Sequence, residues 1–404
     1  MLKAYTDLNE ILTLKEAFKK DGRNLKQEDL SLIKNGAIVF DETKILWVGE
    51  TTRFPDQYRN IAKSLKGHVL TPEIVDAHTH LVFGGDRAQE YADRLSGVSY
   101  EEIAKRGGGI LYTMKQTNEA TKEDLFQSAC ERIERLHSYG IGTIEIKSGY
   151  GLNFDKEYEV SLLIDKLKKK YSPEIQIFNT YLAAHDVPKS FNGPREYLEK
   201  VVIPLLEKLA QLNVIDAVDI FHEKNYFDSS DVDLLFERAA SLGIPRKIHA
   251  DELNDNSGAC LAVKHEALSA DHLLKISDAG IEKLAHSKTV ASLLPGTAFF
   301  LGKPLAPARK ILDGGAKVAI ASDYNPGSCH CDNVLLIASV SAAQLKINQA
   351  ELWAGITMNA AASLGKINQG ALIPGMKARF SLFRTESLSH ITYNWGRNLA
   401  VSLP

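Results

Sequence analysis

The sequence predicts an α/β protein: a (β/α)8 TIM barrel carrying a small β-sandwich-like domain formed by both chain ends. Three observations point there. Eight short runs rich in Val, Ile and Ala recur between residues 67 and 359, amphipathic segments of helical periodicity separate them, and chemically capable side chains collect just after the runs. At 404 residues the chain exceeds the size at which one hydrophobic core keeps growing, which suits a barrel plus a satellite. The expected division is 1–66 and 360–404 for the small domain and 67–359 for the barrel.

The eight runs are His68 to Ala77, Gly142 to Lys147, Ile175 to Ala184, Ala217 to His222, Arg246 to Ile248, Ala267 to Ala270, Thr289 to Leu293 and Lys317 to Ser322. Between them, segments such as Lys122 to Tyr139, Lys156 to Lys170 and Ser229 to Leu242 repeat apolar residues three and four apart. Parallel strands need crossovers of this length, and eight such units close a barrel. The flanks differ. Ala37 to Phe40, a polar turn at Asp41 to Lys44, and Ile45 to Val48 read as a hairpin, and Gly370 to Phe383 is again strand-like around Pro374-Gly375.

Hydrophobic residues make up 44% and charged residues 25%, with a formal net charge of -3, so no basic stripe suggests nucleic acid as a partner. Lys168-Lys169-Lys170 ends a helical segment, where cations complement the helix dipole. The opening residues lack an apolar signal core, and no apolar run is long enough for a bilayer, so a cytoplasmic location is expected. Four cysteines, Cys130, Cys260, Cys329 and Cys331, are too few for a disulfide scaffold. Cys329 and Cys331 flank His330 at a spacing tighter than paired zinc ligands usually adopt, and read as loop residues.

Active sites of this barrel form at the carboxyl ends of its strands. Polar residues gather there: Asp76, His78 and His80; His185; Glu223; His249 and Glu252; Asp271 and His272; Asp323 and Asn325. Strand residues two apart point the same way, so His78 and His80 can aim into one site. With His249 and Asp323 they make a nitrogen and oxygen set suited to one divalent ion, zinc or ferrous iron, with a position left for water. The competing reading, strand-end histidines bonded to nearby backbone, weakens once His249 and Asp323 stand at matching ends. Gly107-Gly108-Gly109 lacks a preceding strand and the lysine of a phosphate loop, and reads as a turn.

Val75 to Leu81 resembles the first-strand signature of the amidohydrolase superfamily, and further segments are similar to the imidazolonepropionase family: HTHLVFGGDRAQEY (78–91), GGGI (107–110), EIKSGYGL (145–152), AAHDVP (183–188), IHADE (248–252), SADHL (269–273), SDYNPGS (322–328) and MNAAASLG (358–365). These cover the barrel almost end to end. The resemblance implies hydrolysis of the ring amide of 4-imidazolone-5-propanoate to N-formimidoyl-L-glutamate, the third step of histidine degradation, with a metal-activated water as nucleophile. It implies metal binding by His78, His80, His249 and Asp323, and catalytic roles for Glu252, His272 and Asp323. Substrate contacts are implied for Arg87, Tyr100, Tyr150, His185, Glu252, Asn325, Gly327 and Ser328, the guanidinium of Arg87 gripping the propionate. It also suggests a homodimer. Lys147 could be a carbamylated bridge between two metals, but the Glu252 and His272 pattern favours a mononuclear centre, with Lys147 structural or orienting. Two rival readings stay open: a deaminase or cyclic-amidase relative, and a non-catalytic protein on the same barrel. The chain departs from many amidohydrolases at Lys377-Ala378-Arg379-Phe380, where an acidic residue is common.

Overall fold

The computed structural model describes residues 2–98, 102–103 and 106–404. Its small domain is one mixed sheet. Strand β1 (Lys3–Leu12) pairs antiparallel with β2 (Leu32–Phe40), which pairs antiparallel with β3 (Ile45–Glu50); this last pair is the expected hairpin. Strands β4 (Ala62–Ser64) and β5 (His68–Pro72) run parallel to β1.

The barrel is an eight-stranded parallel sheet in sequential order: β6 (Ile74–Asp76), β7 (Ile141–Lys147), β8 (Gln176–Ala184), β9 (Ala217–His222), β10 (Lys247–Ala250), β11 (Ser269–His272), β12 (Val290–Leu293) and β13 (Val318–Ile320). A parallel bridge between Thr79 and Tyr324 joins the ends of the first and last strands. Backbone bonds from His80 N to Tyr324 O at 2.9 Å and from Asp323 N to His78 O at 3.0 Å reinforce that closure. From the C-terminal end, β14 (Phe380–Arg384) pairs antiparallel with β5, and β15 (Ala400–Val401) with β14.

Two expectations need correction. The run His68 to Ala77 is two strands, not one: Glu73 separates them, and the first half pairs in the small sheet. Within Gly370 to Phe383 only Phe380 onward is strand, because the positive φ of Gly375 (93°) turns the chain there.

Helices arise where predicted and are capped by their own sequence. Thr121 accepts a bond from Asp124 N before Lys122–Ser138, Asn153 one from Lys156 N before Phe154–Tyr171, and Asp228 makes a capping box before Ser229–Ser241. Their apolar faces cover the barrel: Leu125, Ala129, Ile133, Val160 and Ile164 pack with Ile144 and Ile146 of β7 in a core continuous with the small sheet.

The barrel interior is layered. Near the strand starts Val75, Ala77, Phe178, Ala217, Val290 and Ala319 form an apolar floor with Ala360, Ala361 and Leu364. Further along the strands Glu145, Lys147, Asp219, Lys247 and Asp271 are all buried. The histidines lie at the strand ends, above that charged layer.

Candidate metal centre and active site

His78 and His80 lie just past the end of β6, and their Nε2 atoms lie 3.3 Å apart. Asp323 Oδ1 stands 3.6 Å from His78 Nε2 and 3.5 Å from His80 Nε2. Ligand atoms of His78, His80 and His249 all fall within 4.8 Å of one another. Donors sharing one ion at bond lengths of about 2.0–2.1 Å stand at such separations. The His249 Nε2 atom is buried without a hydrogen-bond partner. An orphaned imidazole nitrogen aimed at two other imidazoles and a carboxylate is what a metal ligand looks like when only protein partners are counted.

The charged layer below explains how these rings are held. His78 Nδ1 donates to Asp271 Oδ2 at 2.7 Å, and His249 Nδ1 lies 3.1 Å from Asp219 Oδ2. A carboxylate can only accept, so each ring keeps its proton on Nδ1 and presents the Nε2 lone pair to the centre. Lys147 Nζ sits 2.6 Å from Asp219 and 3.1 Å from Glu145; Lys247 Nζ sits 2.7 Å from Glu145 and 3.0 Å from Ala77 O. Each ammonium group therefore sits against carboxylate or carbonyl oxygens in the buried interior, where an unpaired charge would be costly. Burial pushes the Asp219 carboxyl up, but His249 and Lys147 outweigh it and hold the group well below the ordinary range. Lys147 is thus ion-paired with Asp219 and Glu145 in the barrel interior.

Burial holds the His78 imidazole well below its usual pKa, with Lys147 adding to the effect, and burial lowers His249 despite Asp219. Both rings are therefore neutral, as ligands must be. Asp323, at a positive φ of 53°, accepts from Thr297 Oγ1. Burial raises its carboxyl, but the bond from His80 and the nearby His272 bring it well below the normal value.

Around this centre stand most of the other expected residues. Glu252 Oε2 is 3.6 Å from His272 Nε2, and burial raises the Glu252 carboxyl above its ordinary value. His272 does not bond Asp271, which is taken by His78, and both of its ring nitrogens are buried without a partner. His185 stacks on His80 with centroids 5.3 Å apart, and its Nδ1 lies 3.1 Å from Gly149 O. Burial, then His80 and His249, bring His185 down to about 3. Tyr150 is buried, 5.7 Å from the His80 ring and 5.5 Å from His185 between centroids.

Arg87 pairs through Nε and Nη2 with Glu90, which also accepts Gly109 N at 2.7 Å. Its Nη1 presses on Gly327, where an added Cβ would come within 1.8 Å of it, so only glycine permits the approach. Asn325 spends its amide on its own loop, accepting from Gly327 N and Ser328 N and donating to Asp323 O and Ser328 Oγ. Tyr100 lies outside the described residues.

Sequence reasoning did not single out Glu145, Asp219, Lys247 or Thr297. A signal existed for the first three: charged residues alternating within short apolar barrel strands, as in Glu145-Ile146-Lys147, must face the interior.

No family profile matches the chain. An imidazolonepropionase from Paracoccus denitrificans is 40% identical over 373 residues, covering 91% of this chain and 92% of the relative. One from Bacillus cytotoxicus is 37% identical over 395 residues, covering 97% and 92%. Among solved structures, a triazine hydrolase variant superposes with a TM-score of 0.75 at 15% identity, covering 99% of this chain and 92% of that one. An adenosine deaminase from Xanthomonas campestris with bound zinc gives 0.69 at 14% identity, covering 99% and 90%. The structural likeness shows the barrel fold with its attached small sheet, and the sequence identity over nearly the whole length places this chain in the imidazolonepropionase family.

Proposed function

We propose that this chain hydrolyses 4-imidazolone-5-propanoate at its ring amide, giving N-formimidoyl-L-glutamate in the third step of histidine degradation. The observation that carries this reading is the convergence of His78, His80, His249 and Asp323 at the strand ends of a chain up to 40% identical to relatives named imidazolonepropionase. These four residues would hold one divalent ion, zinc or ferrous iron. When bound, such an ion acts as a Lewis acid and lowers the pKa of a coordinated water toward neutrality.

The chain's own residues then supply the rest. Asp323 accepts a hydrogen bond from the attacking water and orients it toward the ring carbonyl carbon. The C–N bond breaks, the carbon gains the hydroxyl and the ring nitrogen gains the proton. Glu252 takes the water's proton and returns it to the leaving nitrogen, and His272 donates a hydrogen bond to the carbonyl oxygen as charge develops there. His185 and Tyr150 flank the ring. Arg87 binds the propionate with the edge of its guanidinium that Glu90 leaves open, beside Gly327 and Ser328; Asn325 shapes that loop, and Tyr100 is a further substrate contact. The enzyme is further proposed to be a cytoplasmic homodimer, divided into a barrel of 67–359 and a small domain of 1–66 with 360–404, strand β5 crossing to the latter. Among the described residues no helix is long and apolar enough to cross a membrane.

The test compares Arg87→Ala with the unaltered enzyme on 4-imidazolone-5-propanoate and on a ring lacking the carboxylate. The proposal expects KM to rise by about 10-fold or more for the propionate only, as loss of a charge-assisted pair entails. Equal losses on both rings, or no N-formimidoyl-L-glutamate from the unaltered enzyme, would contradict it.

A further inference from the structure

Glu252 must place its carboxylate within hydrogen-bond reach of the reacting atoms, yet it sits on a loop. Its Oε2 stands 3.6 Å from His272 Nε2, too far for a hydrogen bond, so that imidazole does not tether it. The position of Glu252 is inherited from its backbone. Misplacement of a catalytic group by about 1 Å can cost roughly 100-fold in rate.

The backbone on either side of Glu252 is held from strand β9. Glu223, the residue directly after that strand, is only 2% exposed. Its Oε2 accepts from Leu253 N at 2.8 Å and Asn254 N at 3.2 Å. Its Oε1 accepts from Asn254 Nδ2 at 2.9 Å, Asn256 Nδ2 at 2.5 Å and Lys224 N at 2.8 Å. Four of these donors belong to the three residues that follow Glu252 closely in sequence. On the other side Asp251, in a left-handed conformation with φ 51°, accepts from Asn256 N, Gly258 N and Ala259 N. His222 faces Asn256 O with Nε2 at 3.2 Å and Phe227 O with Nδ1 at 2.9 Å.

A carboxylate offers about four lone-pair sites, and Glu223 spends them on donors that come almost entirely from one loop. Bonds from N–H to a charged oxygen are roughly twice as strong as neutral ones, and they run here from a rigid strand end to a segment with no secondary structure. Glu223 makes no ion pair among the described residues and lies outside the His78, His80 and His249 cluster.

We infer that Glu223 is the positioning residue for Glu252: by gathering the N–H groups of Leu253 and Asn254 and the side-chain amides of Asn254 and Asn256 onto one carboxylate, it fixes the loop that aims Glu252 at the substrate. This rests on the proton-carrying role given to Glu252 above. Glutamine at 223 keeps the shape but turns an NH2 group toward donors, so the loop loses its anchor while the metal ligands, which stand on other strand ends or on β10 itself, stay in place.

The experiment measures kcat, KM, bound metal and amide hydrogen exchange for Glu223→Gln, Glu252→Gln and the double variant. The expected result for Glu223→Gln is a kcat lower by about 10- to 100-fold with KM and bound metal nearly unchanged, and faster exchange at Leu253 and Asn254. The double variant should be no slower than Glu252→Gln alone, since the two act through one group. That non-additivity is what a merely structural residue would lack. If Glu252→Gln is inactive but Glu223→Gln keeps unaltered kcat, or if the two losses multiply, the inference is overturned and the role of Glu252 stands. If Glu252→Gln keeps full kcat, that role itself fails. Should Glu223→Gln not fold, Asn256→Ala removes one donor only and carries the same test, with an expected loss of a few-fold and the same non-additivity with Glu252→Gln.

Discussion

The small sheet and the barrel interior bury their side chains for opposite purposes. In the sheet, Leu8, Ile11, Leu12, Ile38, Ile45, Val69 and Leu70 are fully buried and apolar. Beneath the histidines, at equal burial, the barrel places Glu145, Lys147, Asp219, Lys247 and Asp271. Apolar burial stabilises at about 25 cal/mol per Å2, whereas a buried ion pair contributes little net stability, because desolvation offsets the attraction. The sheet therefore braces the fold, and the charged layer serves the site above it: it fixes ring tautomers and leaves nitrogen lone pairs pointing at one place.

The comparison can be broken in four ways. The largest effect should come from His249→Ala, which removes a proposed ligand: metal binding should weaken by more than about 1000-fold in a calorimetric titration, while thermal unfolding stays cooperative. Second, Leu70→Ala in the sheet should destabilise by about 2–5 kcal/mol in denaturant unfolding and leave metal affinity unchanged. A parallel loss of metal would mean that the sheet helps to shape the site. Third, Asp219→Asn should weaken metal binding by about 10- to 100-fold, as losing the acceptor of a proposed ligand histidine does, and should cost about 3–5 kcal/mol of stability because the buried Lys147 ammonium loses its partner at 2.6 Å. Unchanged metal affinity beside that loss would mean that Asp219 serves the fold and not the site.

The fourth and smallest effect is a pH shift. In the proposed mechanism Glu252 takes a proton in its ionised form, and burial raises its carboxyl, so the enzyme should lose rate on the acid side at a pH above that of an exposed glutamate, near 4.3. The sign is that of a base whose proton is harder to remove: kcat climbs as pH rises through the raised value. A kcat profile flat down to pH 4 would contradict it.

Much of this was legible in the chain. Short Val, Ile and Ala runs with polar ends placed the barrel strands and the histidines, because parallel strands buried on both faces read as continuous apolar segments. The same continuity hid the break at Glu73, before which β5 belongs to the small sheet although its residues look no different from those of β6. His78, His80, His249 and Asp323 could be grouped because they lie at or just past the carboxyl ends of strands. That Asp271 serves His78 rather than its neighbour His272 could not be read, since it depends on which side chains cross the barrel interior. Nor does spacing reveal that Glu90 occupies one edge of Arg87, or that Asn325 is consumed by its own loop.

The most direct measurement is a metal titration of the stripped protein, followed in the same samples by hydrolysis of 4-imidazolone-5-propanoate. The account predicts one divalent ion per chain, with activity rising in proportion to occupancy and vanishing with chelator. Full hydrolysis by the stripped protein, or saturating metal at His78, His80 and His249 without hydrolysis, would contradict it.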